Sequence, residues 1–214
     1  MKYVVIDLEM CYVPKETADR CGCRMEIIQI GAVQMNGQFQ ITNKFNTYVK
    51  PQFGYINTFI HKLTGIANKN IAGAQNLNDA LKDFRSWLPK EEFRVVSWSL
   101  TDLDQLREEM RIKGIGTSET DRIADRWIDA QAMFNEKMRS QSPFALSDAL
   151  FIADIDTVGS AHDGLADAYN TAVLFARMMQ NTLKINDYYI NAKRDSSTLG
   201  YTLADMLGNI ALTA

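Results

Sequence analysis

"VVIDLEM", residues 4–10, sets Asp7 and Glu9 two places apart inside an apolar run. Side chains alternate across a strand, so Val5, Asp7 and Glu9 share one face while Val4, Ile6 and Leu8 share the other. Neighbouring carboxylates repel, and burial without partners would push their pKa values upward. Such a pair is tolerable on the wet face of an edge strand, or where cations sit on it. The rest of the chain decides between the two.

Segment 2–9 reads as a strand, and "MEIIQIGAVQM" at 25–35 as a second one. The second runs into Asn36-Gly37, the residue pair preferred in two-residue hairpins, so "QFQITNKFNTYV" at 38–49 is its expected antiparallel partner, closed by Lys50-Pro51. Leu77, Leu81, Phe84 and Leu88 follow helical spacing, with Asn76 or Asn78 as N-cap and Pro89 as terminator. "RVVSWSL" at 94–100 is a short apolar strand, and Leu103, Leu106 and Met110 predict a helix ending near Gly114. "IADRWID" at 123–129 suggests another strand, followed by a short helix through Met133 and Met138. "ALSDALF" at 145–151 has room for a helical turn or two. Leu165, Tyr169, Ala172, Val173 and Ala176 mark a long amphipathic helix from 163 to about 181. The order βββαβαβαα implies an α/β fold, a mixed sheet flanked by helices.

With 214 residues, 46% hydrophobic and 23% charged, the chain is long enough for one sizeable domain with a full core. No run approaches the ~18–20 apolar residues of a membrane helix, and the N-terminus puts acids where a signal peptide keeps its apolar segment. A soluble, cytoplasmic protein without a membrane partner is expected. Cys11, Cys21 and Cys23 fit reduced thiols better than a disulfide framework, and a zinc site would need a fourth ligand, yet His61 and His162 are distant in sequence. The net charge of −3 argues against nonspecific coating of nucleic acid, but not against holding a short strand end. Residues 1–184 are expected to form the domain. Residues 185–214 are an extension in which Leu203, Met206, Leu207 and Ile210 give one short helical face, expected to pack back on it.

If Asp7 and Glu9 hold metal, other carboxylates must reach the same place. Asp102 follows "RVVSW" and opens the helix "DLDQLREEM", so a parallel strand beside the first would deliver it to the same sheet edge. Asp167 falls in the first turn of the long helix, where the helix dipole favours a carboxylate. Each alone reads as an ordinary capping residue. In "AHDGLADAYNTA", 161–172, His162 sits in a loop five residues before Asp167; alone it would be a structural histidine. Together, Asp, Glu, Asp, His and Asp in that order form a set. His61 reads as a surface or structural residue, and "DID" at 154–156 lacks the later ligands and glycine spacing of a calcium loop. Asp121, Asp125 and Asp129 read as a solvated series, with Asp129 available as a cap.

At this point the chain resembles the DEDDh 3′-to-5′ exonucleases of the proofreading-exonuclease superfamily, whose fold is ribonuclease H-like. The acid-x-Glu of the family's first motif is matched by Asp7-Leu8-Glu9. Trp98, Asp102 and Leu106 match the second, and His162 with Asp167 the third. The sister class carries a tyrosine four residues before the last aspartate, where this chain has Asp163. "EIIQIGAV" at 26–33 and "FIHKLTGI" at 59–66 look most like the KapD-like, RNA-interference-type exoribonuclease branch. That branch's "DxEATC" is partly kept as "DLEMCY", and Ala166-Asp167 stands where it has two aspartates.

The resemblance implies a five-stranded sheet, three antiparallel strands first and then parallel ones, and a metal-dependent 3′-5′ exonuclease. The substrate implied is the 3′ end of single-stranded RNA, favoured over DNA, with release of nucleoside 5′-monophosphates. Asp7, Glu9, Asp102 and Asp167 would hold two Mg²⁺ ions, for which Mn²⁺ can substitute; hard cations take oxygen ligands, and two of them stabilise charge on the attacking and leaving oxygens. His162 would be the general base, since imidazole's free pKa of ~6.5 lies near neutrality. Met10 would touch the terminal nucleotide, and Leu63, Thr64 and Gly65 would line the path of its base and sugar, though Leu63 reads equally as core. The alternatives are a DNA 3′-5′ exonuclease of proofreading or trimming type, and a non-catalytic nucleic-acid or protein-binding module of the same fold.

Overall fold

The computed structural model describes residues 1–116, 121 and 123–190. Its strands are β1 (Lys2–Tyr12), β2 (Met25–Met35), β3 (Ile41–Tyr48), β4 (Phe93–Ser97) and β5 (Trp127–Asp129). The named helices are α1 (Lys15–Cys21), α2 (Thr58–Thr64), α3 (Asn68–Ile71), α4 (Leu77–Trp87), α5 (Thr101–Ile112), α6 (Ala130–Met138), α7 (Leu146–Ile152) and α8 (Gly164–Met179). The sheet order is β3-β2-β1-β4-β5. β1, β2 and β3 pair antiparallel, whereas β4 joins β1 and β5 joins β4 in parallel. This is the mixed, helix-flanked α/β sheet expected from the element order. Parallel neighbours need crossovers, which α4 and α5 supply.

The alternation in β1 sorts the layers. Val4, Ile6 and Leu8 pack under α4 and α5, against Leu77, Leu81, Phe84, Leu106 and Met110. Val5, with Val33 and Val96, packs under α8 beside Phe134, Phe175 and Leu150. Each such buried side chain contributes about 1.5–3 kcal/mol relative to exposure. Asp7 and Glu9 continue the Val5 face toward the start of α8. A third cluster, Cys11, Ile28, Ile56, Ile60, Ile66 and Ile71, seats α2 and α3 over the far ends of β1 and β2.

Asn76, rather than Asn78, caps α4, its side chain accepting from Asp79 N. Asp129 caps α6 in the same way, and Asp121 pairs with Arg107. β4 stops at Ser97 and β5 begins only at Trp127, with Ile123 and Ala124 helical, so both strands are shorter than their apolar runs. The hairpin also differs. Asn36 and Gly37 do not take left-handed conformations; Phe39 does, with φ 60°. Asn36 Oδ1 accepts the N–H groups of Gln38 and Gln40, which builds a longer turn and starts β3 at Ile41. The Phe39 ring stacks on Tyr3 at 5.2 Å and meets Phe175 edge-on, an apolar anchor that offsets the strain of its backbone.

The periodicity does not predict α1, α2 or α3. α1 buries no residue, and α2 and α3 are one or two turns long, too short for a repeat to show. Residues 185–190 pack on the domain: Asn186 N donates to Ile152 O at 2.8 Å and Tyr189 is buried in the α8-side core. The helix expected on Leu203, Met206, Leu207 and Ile210 lies outside the described residues. Among the described residues, no helix is long and apolar enough to cross a membrane. Cys11 and Cys23 are buried, and loss of solvent next to Glu26 and Glu109 pushes both thiols up to about 12.

Candidate active site

β1 pairs with β4 only from Lys2 to Val5. Beyond Val5 its β4-side edge is open, and the start of α5 takes that place: Asp102 Oδ1 accepts the Leu8 N–H at 2.9 Å. A strand N–H that would otherwise be orphaned thus fixes a carboxylate from 94 residues away beside Asp7 and Glu9.

α8 arrives from the opposite face. Gly31, which pairs with Asp7, lies so close to Gly164 that a Cβ on it would sit 2.1 Å from the Gly164 carbonyl carbon. Gln29, opposite Glu9, accepts the Gly164 N–H through Oε1 at 3.1 Å and is itself steadied by Asn46 at 3.0 Å. Two glycines and one amide therefore let the helix start rest on the sheet. Asp163 caps α8, accepting from Ala166 N at 3.0 Å, and Asp167 lies one turn in. Asp167 Oδ2 accepts the backbone N–H of His162 at 2.7 Å, which holds His162 in the left-handed region at φ 61°. Asn170 ties the preceding loop through both Val158 N and Val158 O.

Donor atoms of Glu9, His162 and Asp167 lie within 4.8 Å of one another. Glu9 and Asp102 are each 7% exposed. Loss of solvent, then repulsion from Asp102, Glu9, Asp167 and Asp163, holds Asp7 well above the usual carboxylate range. Desolvation and the same kind of neighbours push Glu9 up to about 8. Burial raises Asp102 to about 7 despite the Leu8 N–H, and raises Asp167 despite the N–H of His162. Mutually repelling carboxylates in a desolvated corner hold either protons or cations. Convergent oxygens in this number suit a hard divalent cation. Glu9, Asp167 and the exposed His162 could hold it, with Asp7 and Asp102 as the further carboxylates beside them.

The expected site residues divide. Glu9, His162 and Asp167 bring donor atoms together, and Asp7 and Asp102 stand close enough to repel the other acids without joining that group. Met10 is half-buried and lines a groove of about 640 Å³ with Met25, Thr101 and Gln105. Thr64 is buried, its hydroxyl donating to Ile60 O and accepting from Ile66 N. Gly65 closes α2 at φ 72°. Leu63 is 38% exposed, and Phe59, one turn earlier on the same face, is 58% exposed. Phe59 was not singled out from the sequence; its spacing of four from Leu63 was the available signal. Asp163 joins the charge cluster although the sequence marks it only as the site of a missing tyrosine. His61 is structural, its Nδ1 3.0 Å from Ile66 O.

The exonuclease family RNase_T matches residues 4–175. ERI1 exoribonuclease 2 of Danio rerio is 29% identical, the match covering 86% of this chain and 36% of that protein. ERI1 exoribonuclease 2 of Xenopus laevis is 31% identical over 72% of this chain and 25% of its own length. The chain thus spans about a third or less of these relatives. Among solved structures, the nuclease domain of 3′hExo, a DEDDh family member bound to rAMP, superimposes with a TM-score of 0.70. It is 21% identical, and the match covers 86% of this chain and 94% of that one.

Proposed function

The chain belongs to the RNase_T exonuclease family, and from that premise we propose that it is a metal-dependent 3′-5′ exonuclease that shortens single-stranded RNA from its 3′ end and releases nucleoside 5′-monophosphates. The observation that carries this reading is the corner at one end of β1 where donor atoms of Glu9, His162 and Asp167 lie within 4.8 Å of one another, Asp102 is held on the Leu8 N–H, and Asp7 is repelled by Asp102, Glu9 and Asp167. RNA is favoured because the two relatives are named exoribonucleases and 3′hExo was solved with rAMP.

Two Mg²⁺ ions, when bound, supply the positive charge that stabilises the attacking and leaving oxygens. The chain's own residues do the rest. The carboxylates would supply the oxygen donors that hold those ions. His162 accepts a proton from the attacking water, while its backbone N–H, held by Asp167, aims the ring. The water's oxygen bonds to phosphorus as the P–O3′ bond breaks; the departing 3′-oxygen takes a proton from solvent and stays on the shortened strand as a hydroxyl, and the phosphate leaves on the 5′ carbon of the released nucleotide. Met10 faces that nucleotide, and the exposed Phe59 and Leu63 of α2 offer its base an apolar surface on which to stack.

The test is digestion of 3′- and 5′-labelled RNA and DNA strands of one sequence in Mg²⁺, Mn²⁺ or EDTA, beside Asp7→Ala and His162→Ala. Stepwise 3′ shortening that requires metal and both residues, faster on RNA, is expected. Faster digestion of DNA would move the substrate to DNA, and no cleavage by folded protein in Mn²⁺ would leave a binding module.

A further inference from the structure

Glu26, Glu109 and Lys113 are buried ionisable groups that the proposed hydrolysis does not use. Lys113 Nζ lies 2.6 Å from Glu26 Oε1 and 2.7 Å from Glu109 Oε1; neither glutamate side chain is exposed. Two carboxyl groups share one ammonium away from water. An apolar trio of similar volume is commonly as stable as a buried ion network, so stability alone gives no reason to keep it.

What the cluster grips is backbone. Glu26 accepts the N–H groups of Gln52, Phe53 and Gly54 at 2.8, 2.6 and 2.5 Å. Glu109 accepts Ile27 N at 2.8 Å and the Gln105 side chain at 3.1 Å. Ile27 is the residue opposite Met10. Glu9 faces Gln29 and Met10 faces Ile27, so Ile28 is the extra residue of a bulge beside the active site. Segment 52–54 runs on to Asn57, the cap of α2, whose outer face carries Phe59 and Leu63. There is no slack in the loop: a Cβ on Gly54 would lie 2.7 Å from Cys11 Sγ and 3.1 Å from Tyr12 O. α5 carries Asp102 at its start and Glu109 near its end, with Lys113 just beyond, so one helix joins the carboxylates to this anchor.

We propose that the Glu26–Lys113–Glu109 cluster is a positioning device that locks the 52–57 loop, and with it the Phe59 and Leu63 face of α2, to the Met10 bulge, setting the distance between the wall for the terminal nucleotide and the catalytic carboxylates. It rests on the nucleotide-binding part of the function proposed above. Charge-assisted N–H contacts are directional, so they fix a loop in a way apolar packing does not.

The test uses Glu26→Gln, which keeps volume but puts an NH₂ group toward backbone donors or Lys113, and Gly54→Ala, which displaces the loop with every charge intact. Binding of a fluorescent RNA oligonucleotide in Ca²⁺ is followed by anisotropy, with KM and kcat for labelled RNA and with Mn²⁺ affinity. Kd and KM should rise and kcat fall, together lowering kcat/KM by about 10²-fold, the scale of a 1 Å misplacement, while Mn²⁺ affinity stays within about twofold. If Glu26→Gln does not fold, Gly54→Ala carries the comparison. Wild-type Kd and KM in the folded variants, or a joint fall of Mn²⁺ affinity, kcat and RNA binding, would overturn the proposal. A wild-type chain that binds the oligonucleotide without cutting it removes the exonuclease reading alone, since the Kd comparison still tests the cluster. One that binds none overturns both.

Discussion

Asp102 has two tasks that one substitution separates. Its Oδ1 satisfies the Leu8 N–H, and its charge belongs to the cluster with Asp7 and Glu9. Asp102→Asn keeps a carbonyl oxygen for Leu8 and removes the charge. The variant should fold while losing activity by about 10²-fold, since even a group that only supports metal ligands is worth roughly 10–100-fold; an active Asp102→Asn chain would take Asp102 out of the site. The same residues predict a pH dependence. Asp7, Glu9 and Asp102 titrate above their usual range of roughly 4 in the folded, metal-free chain. Between about 4 and about 8 the folded state therefore binds more protons than the unfolded one, so stability falls as pH rises. In EDTA, Tm should drop by about 3 °C or more from pH 5 to pH 8.5. Mg²⁺ or Mn²⁺ should restore more of it at pH 8 than at pH 5, and Asp102→Asn should raise Tm in EDTA at pH 8. A Tm that climbs with pH in EDTA would contradict the carboxylate assignment.

At the scale of elements, the site depends on how closely α8 rests on β1 and β2. Gly31→Ala would put a methyl group against the Gly164 backbone, with no flexible side chain to yield. The helix start must lift, carrying Asp167 and His162 with it. Overpacking of this kind costs about 1–3 kcal/mol, and activity should fall more than tenfold in the folded fraction, a geometric effect of about that size. Gly73→Ala, where nothing lies within 4 Å of the added Cβ, is the control and should leave Tm and activity unchanged. Equal behaviour of the two variants would mean that the α8 contact does not set the site.

At the scale of the molecule, 26 acids against 23 bases argue against retention of a long strand by a broad excess of positive charge. Digestion should be distributive: on a long 3′-substrate, all intermediate lengths should appear before full-length RNA is exhausted. A time course showing only full-length strand and limit product would overturn this. The neighbouring salt bridges, such as Arg111 with Glu108 and Lys82 with Asp79, are solvent-exposed and within-helix, each worth little to stability. What holds the molecule is the pair of apolar layers on either face of the sheet.

Those layers were legible in the sequence because each rests on local periodicity: alternation in β1, helical spacing in α4, α5 and α8. Strand phase put Asp7 and Glu9 on one face, but spacing alone left Asp102 and Asp167 as ordinary capping residues, and only the family resemblance joined them into a set. Other features rest on contacts between distant segments. Gly164 meets Gln29 and Gly31 from more than 130 positions away, and Ile27 meets Glu109 across 82. The Asn36 turn depends on a ring cluster with Tyr3 and Phe175, and α2 on a cap and a single buried isoleucine cluster. The sequence by itself determined the mixed sheet, its helical flanks and the shared face of Asp7 and Glu9, because backbone geometry converts spacing into direction, and its resemblance to a family supplied the rest of the acidic set. Only the tertiary structure decided which backbone groups each buried charge must satisfy, and so how the wall of α2 and the start of α8 are held against the carboxylates.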